Sequence, residues 1–221
     1  MNAAEVLADQ GSFDEAHVRL TSSLRTFLAT DYTTGTAIVF AYLGRLETRR
    51  GNGPAAAEHL AAAHEAVTDM GAESLLPDVV IRQAELAVVL GEGAAAHELL
   101  TRVDELPDVG SEMRTMALRL RGALAAREGD DAAAIALLRE AVTASQRGSF
   151  GEALARHSLA VVLARHDDPE SETHRHSALD TLRRLGVHRF RDPLAGEDLI
   201  VISLPPAVVD LTQRRCPRRH R

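Results

Sequence analysis

The chain has 221 residues, of which 45% are hydrophobic but only 3% aromatic, and it contains no tryptophan. Its apolar residues are mainly Ala, Leu and Val, which favours close packing of helices and argues against a bulky β-sandwich core. The formal charge is −7, but five arginines lie in residues 214–221, so residues 1–213 carry 20 basic against 32 acidic groups. A body this acidic does not bind nucleic acid non-specifically.

Apolar residues recur at helical spacing along most of the chain, in segments separated by short polar or glycine-containing breaks. This periodicity predicts ten helices, paired in order as five hairpins. In chain order the predicted helices cover residues 2–10, 14–29, 35–50, 54–70, 76–90, 93–105, 111–128, 131–147, 151–166 and 170–185.

The breaks within the hairpins recur with a period of 38 to 40 residues. Each of the first four contains a glycine, and an aspartate takes the same place in the fifth. Glycine there suits the left-handed turn that ends a helix. We call these residues the anchors: Gly11, Gly51, Gly91, Gly129 and Asp167.

Side chains of the same type stand at fixed distances from the anchors. A small residue lies seven positions before each anchor, at Ala4, Gly44, Ala84, Gly122 and Ala160. An alanine lies five positions after each glycine anchor, and a leucine nine positions after it, at Leu20, Leu60, Leu100 and Leu138. Small residues allow two helices to approach closely, and leucines at helical spacing fill the seam between them. The period therefore predicts a repeated helix pair.

These columns resemble the tetratricopeptide repeat (TPR), over about residues 2–185. The longer period is similar to that of the repeats in large bacterial signalling and transcriptional regulators. The resemblance implies an all-α, right-handed α-solenoid of about five TPR-like hairpins, which would form one domain over residues 1–190. The first helix has fewer residues than its counterparts, so we expect the chain to begin partway through a repeat of a longer regulator.

After residue 190 the pattern changes. Residues 191–213 predict an irregular extension with a short β-prone run at 199–204, bracketed by prolines. Residues 214–221 predict a disordered basic tail that contains the only cysteine, Cys216, so no internal disulfide can form. Neither a secretory leader nor a run of about 18 apolar residues is present. We expect a cytoplasmic protein without a membrane partner.

In TPR-like hairpins the first helix lines the concave face, and the resemblance places seven polar residues there. They are Arg45, Arg49, Glu85, Arg119, Arg127, His157 and Arg165. A groove rich in arginine suits an acidic peptide or a carboxylate terminus, because guanidinium groups pair bidentately with carboxylates. The alternative is that Arg49, Arg127 and Arg165 lie in last helical turns, where a cation favours the helix dipole and is solvated.

No residue pattern indicates catalysis, a metal or a cofactor. The acidic pairs Asp130–Asp131 and Asp167–Asp168 fall where helix N-termini favour acidic caps. His174 and His176 are two residues apart and point in different directions on a helix, unlike the ligands of a zinc helix. We therefore predict no enzyme activity.

The sequence leaves two functions open. The first is a protein interaction module that binds a peptide or a partner domain in its concave groove, as part of a regulator. The alternative is an effector-sensing domain that closes around a small molecule or signalling peptide. The acidic charge of residues 1–213 disfavours nucleic acid as a ligand. The oligomeric state stays open between monomer and homodimer, since the 199–204 run could pair between two chains.

Overall fold

The computed structural model describes residues 3–107 and 109–187, and the backbone of 190–191 and 199–200. These parts contain ten α-helices and one short 3-10 helix, Glu73–Leu75. The α-helices are α1 Ala3–Gln10, α2 Phe13–Ala29, α3 Thr33–Arg50, α4 Gly53–Asp69, α5 Leu76–Leu90, α6 Gly93–Glu105, α7 Ser111–Glu128, α8 Asp131–Ala144, α9 Phe150–Ala164 and α10 Glu170–Arg184. The chain is therefore all-α over residues 3–107 and 109–187, as the sequence predicts.

Nine of the ten predicted helices begin and end within two residues of the observed bounds, and only α8 ends three residues early. It ends at Ala144 because Ser145 adopts an extended backbone and donates its hydroxyl to the carbonyl of Ala141 at 2.7 Å. Ser149 then caps α9 by accepting the N–H of Glu152 at 3.1 Å. Residues 145–149 thus form a separate loop, which we call the α8–α9 loop.

Each helix packs against the next one in the chain, and the odd-numbered helices also contact one another. The latter contacts join α3 to α5, α5 to α7 and α7 to α9. Three ion pairs join α1 to α3: Arg45 pairs with Glu5 and Asp9, and Arg49 pairs with Asp9. The odd-numbered helices thus form one continuous layer. This arrangement is compatible with a helical repeat.

All five anchors adopt the left-handed backbone that the sequence predicts. The glycine anchors have φ angles between 78° and 89°, and Asp167 has φ 52° despite its side chain. After each anchor the next N–H returns to a carbonyl of the preceding helix, as in Asn52 to Glu47 at 2.9 Å and Asp168 to Leu163 at 3.2 Å. These bonds satisfy carbonyls at the helix ends that would otherwise lack donors.

The predicted small residues and leucines meet inside the hairpins. The four leucines, one each on α2, α4, α6 and α8, are at most 1% exposed, and the alanine one turn earlier on each helix is fully buried. A β-carbon added to Gly44 would lie 2.5 Å from Cγ of Leu60, and one added to Gly122 would lie 2.7 Å from Cγ of Leu138. An alanine at either position would therefore force the leucine or the helix backbone to shift.

The C-terminal region departs from the repeat. On α10 the buried alanine and leucine are Ala178 and Leu182, and Leu185 is 39% exposed. Strand β1 (Phe190–Arg191) pairs antiparallel with β2 (Leu199–Ile200) of the same chain. The rest of the predicted 199–204 run, most of the 191–213 extension and the 214–221 tail lie outside the described residues.

Replacing Gly122 by Ala tests the close approach of α7 and α8. We expect Gly122→Ala to lower the free energy of unfolding by about 1–2 kcal/mol, because overpacking against Leu138 outweighs the gain in helix propensity. Urea denaturation followed by circular dichroism measures the change.

Gly93→Ala is the matched control, since no atom lies within 4 Å of a β-carbon added at Gly93. Its helix should gain about 0.5–1 kcal/mol from the substitution. Equal stability of the two variants would contradict the packing that the structure assigns to Gly122.

Candidate functional site

A cavity of about 570 Å³ lies against the layer of odd-numbered helices. Side chains from α1, α3, α5, α7 and α9 line it, together with the end of α8, the α8–α9 loop and two residues that follow α10. Four of the seven residues that the sequence placed on the concave face lie in this lining: Arg45, Arg49, Glu85 and Arg119.

Two carboxylates of α1 meet two guanidinium groups of α3 at one side of the cavity. Arg45 donates to Glu5 at 2.7 Å and lies 3.3 Å from Asp9, and Arg49 also donates to Asp9. Burial alone would raise the pKa of the Asp9 carboxyl, but Arg49 and Arg45 outweigh it and hold this pKa below its usual value. Burial and the neighbouring Arg49 lower the pKa of Arg45.

A second pair lies between α5 and α7. The guanidinium of Arg119 is 3.3 Å from Oε1 of Glu85, and both side chains are about 4% exposed. The other carboxylate oxygen of Glu85, Oε2, has no hydrogen-bond partner within the described chain, and neither has the hydroxyl of Thr115 on α7. Both residues line the cavity. Buried polar atoms of this kind carry a desolvation penalty that a suitable donor would remove.

The remaining three predicted residues have other positions. Arg127 donates to the carbonyl of Val88 in the last turn of α5, and Arg165 donates to that of Ala126 in the last turn of α7 at 2.9 Å. Each guanidinium thus binds the C-terminal end of the preceding odd-numbered helix, where the last carbonyls accept hydrogen bonds and the helix dipole favours a cation. His157 is buried on α9, and neither it nor these two arginines is part of the cavity lining.

Charged lining residues of both signs are equal in number. The lining contains four carboxylates and four guanidinium groups, in Glu5, Asp9, Glu85, Glu112, Arg45, Arg49, Arg119 and Arg147. The predicted groove was rich in arginine because the sequence reasoning assigned no carboxylate of α1 to it. Glu5 and Asp9 each precede their arginine by 40 residues, one repeat period, and this spacing was the available signal.

Arg82 on α5 was not among the predicted residues. Its charge interacts with Glu5, Asp9 and Glu85 of the cavity lining. Its guanidinium donates two bonds of 2.8 Å to Asp78, one turn earlier, and lies 5.1 Å from the ring centroid of Tyr42. Burial lowers the pKa of Arg82, but the ion pair with Asp78 outweighs it, so this pKa is raised. The spacing of four residues between Asp78 and Arg82 was readable in the sequence.

Contacts between distant parts of the chain close the cavity on one side. The side-chain amide of Gln10, at the end of α1, donates to the carbonyl of Leu185 at 3.3 Å. Arg49 of α3 lies 5.1 Å from the ring centroid of Phe150, the first residue of α9. The first two hairpins therefore contact the last one.

One residue of each acidic pair binds a backbone N–H at the start of a helix, as the sequence predicts. Asp130 accepts the N–H of Ala133 at 2.9 Å and caps α8, and Asp168 accepts the N–H of Glu170 at 2.9 Å at the start of α10. Within residues 3–107 and 109–187 no three His, Cys, Asp or Glu side chains are placed to hold a metal ion. None of the helices described here is long and apolar enough to cross a membrane.

Comparisons with protein families, with characterised proteins and with solved structures give no match for this chain. The packing of successive helices and the contacts among the odd-numbered helices are compatible with a helical repeat.

Asp9→Asn tests the α1–α3 ion pairs. We expect the variant to lose about 3 kcal/mol of unfolding free energy at pH 7, because it leaves two buried guanidinium groups short of a carboxylate. The pKa of Asp9 is lower in the folded chain than its usual 3.8, so its ionised form stabilises the fold in full above about pH 4, and this contribution declines as the pH falls from there through the lower folded pKa. The difference between wild type and variant should shrink in denaturation curves from pH 7 to pH 3.

Asp14→Asn provides the comparison, since Asp14 pairs with Arg50 but its side chain is fully exposed. That variant should be nearly neutral at each pH. A deficit in Asp9→Asn that stays constant down to pH 3 would show that its ion pairs do not carry the effect.

Proposed function

We propose that this chain is an effector-binding helical-repeat module, whose central cavity takes a small molecule or a short peptide. In this proposal the repeat is TPR-like, the helix pairs stack as a right-handed α-solenoid, and the chain serves as the sensory part of a regulator. The cavity between the first and last hairpins is the observation that carries the proposal.

The size and lining of the cavity support a compact ligand. Its volume of about 570 Å³ falls in the range of roughly 300–1,000 Å³ that small-molecule sites occupy. Apolar side chains of Val6, Met116, Leu154 and Val187 share the lining with the charged groups. Such a mixture gives affinity through apolar burial and orientation through a few polar contacts.

The contacts across the cavity favour this function over the binding of a partner domain. A partner domain or a long extended peptide needs an open groove, whereas Gln10 reaches Leu185 and Arg49 reaches Phe150 across this face. A ligand in the cavity would change the separation between the first and last hairpins, and that change in separation would be the signal. The interaction-module hypothesis therefore stays as the alternative, with a short peptide as the ligand that both share.

Binding is proposed here without catalysis. The buried charged groups of the lining are held in ion pairs, as in Arg45 with Glu5 and Arg119 with Glu85, which suits recognition of a ligand. The balance of charges favours a ligand without a large net charge over a strongly acidic peptide.

Filling the cavity tests the proposal. Ser111 is an exposed residue at the start of α7 and lines the cavity, so Ser111→Trp should block the site without disturbing the core. We would screen a library of small molecules and short peptides by thermal unfolding. A ligand at 100 times its Kd should raise the Tm of the wild type by about 5–10 °C. The same ligand should leave the Tm of Ser111→Trp unchanged.

Ser22→Trp is the matched control, because Ser22 is exposed on α2 and lies outside the cavity lining. This variant should respond to ligands as the wild type does. Ligands that stabilise all three proteins equally would bind elsewhere and contradict the proposal, and so would a screen without any stabilising ligand.

A further inference from the structure

Two charges of the cavity lining differ from the other six in their exposure. The six form ion pairs, with side chains at most 17% exposed. Glu112 on α7 and Arg147 in the α8–α9 loop are exposed. The cavity thus presents one negative and one positive group to solvent, from different elements of its wall.

The part of the lining that carries Glu112 also contains two buried polar atoms without a hydrogen-bond partner in the described residues. Glu112 and Thr115 are three residues apart on α7 and hence on one face of that helix. Thr115 is 6% exposed and Glu85 is 3% exposed, and Oγ1 of Thr115 and Oε2 of Glu85 lack hydrogen-bond partners within the described residues. Glu85 meets α7 at Arg119, one turn after Thr115, so three acceptors, one exposed and two buried, lie along this part of the lining.

An ammonium group has the chemistry that these three acceptors require. It carries a positive charge and three N–H donors, whereas a hydroxyl supplies one donor and no charge. The α5 and α7 residues of the lining carry two carboxylates, in Glu85 and Glu112, against one guanidinium, in Arg119. Their net charge of −1 favours a cationic group there.

The opposite charge comes from the α8–α9 loop. Arg147 is the charged lining residue of this loop, and its guanidinium can pair bidentately with a carboxylate. Ser149 and Phe150, at the start of α9, lie in the same lining, where the helix dipole also favours an anion.

We propose that the cavity binds a zwitterion, with its ammonium group on Glu112, Thr115 and Glu85 and its carboxylate on Arg147. An unblocked short peptide and a smaller amino acid derivative share this chemistry. The inference rests on the proposed function and specifies the ligand class of the same site. The two buried acceptors are closed to solvent, so binding requires a shift of the Glu85 or Thr115 side chain.

Four forms of trileucine test the proposal by isothermal titration calorimetry at pH 6.5. The forms are unmodified, N-acetylated, C-amidated, and modified at both ends, so each terminal charge is removed separately. The unmodified peptide should bind about tenfold tighter or more than each of the others, because each modification leaves one charged group of the site without its partner. Free leucine in the same titration separates a peptide site from an amino acid site.

Charge-removing variants then assign the two ends. Glu112→Gln and Thr115→Val should weaken only the peptides with a free ammonium group, by about threefold to tenfold. Arg147→Gln should weaken only those with a free carboxylate. Glu65→Gln, at an exposed position of α4 outside the lining, should bind all four as the wild type does.

Two results would overturn the inference. One is equal or tighter binding of the doubly modified peptide, and the other is the absence of binding by free leucine and all four peptides. If other ligands from the thermal screen still lose binding in Ser111→Trp, only the zwitterion assignment fails. If no ligand depends on Ser111, the proposed function fails with it.

Discussion

In each of the first four hairpins, a leucine near the middle of the even-numbered helix lies opposite a residue with almost no side chain on the helix before it. In two hairpins that residue is glycine, and an added β-carbon at Gly44 or Gly122 would approach a leucine Cγ to 2.5–2.7 Å. Such an approach brings the helix axes close together and fixes their positions along each other. The equivalent positions of the other three hairpins carry alanine, at Ala4, Ala84 and Ala160, and each is buried.

Each odd-numbered helix makes this contact on one side. Its other side faces the neighbouring odd-numbered helices. That side carries charged residues which would be costly to bury alone. The structure pairs them between helices, as in Glu5 with Arg45 and Glu85 with Arg119. Buried ion pairs of this kind contribute little net stability, because desolvation offsets their attraction. They join particular residues of neighbouring helices and supply a polar lining in a defined position.

The cavity follows from these two constraints together. Close helix pairs form its wall, the ion pairs give the wall polar groups of both signs, and the α8–α9 loop borders it. That loop exists because Ser145 ends α8 early and Ser149 caps α9. A small change in the separation of Gln10 and Leu185 would alter the cavity directly. A ligand in this place can therefore affect the relative positions of the first and last hairpins, which is the basis of the proposed sensing role.

Local chemistry was enough to predict most of the fold. The helix bounds, the order of the hairpins and the left-handed anchors follow from apolar spacing and turn residues, which act over a few residues to one repeat. The buried columns at Leu20, Leu60, Leu100 and Leu138 follow in the same way. The early end of α8 was missed because Ser145 and Gln146 are compatible with a helix until the cap at Ser149 is considered.

The candidate site was only partly predictable. Arg45, Arg49, Glu85 and Arg119 were placed on the correct helices, since position in the repeat decides that. Their partners Glu5 and Asp9 were not recognised, and Arg127 and Arg165 bind helix ends outside the cavity. Closure of the cavity joins Gln10 to Leu185, 175 residues apart. The distance in space between these two residues depends on the sum of small angles between successive helix pairs. No local sequence pattern encodes that sum, so the tertiary structure alone defines the site.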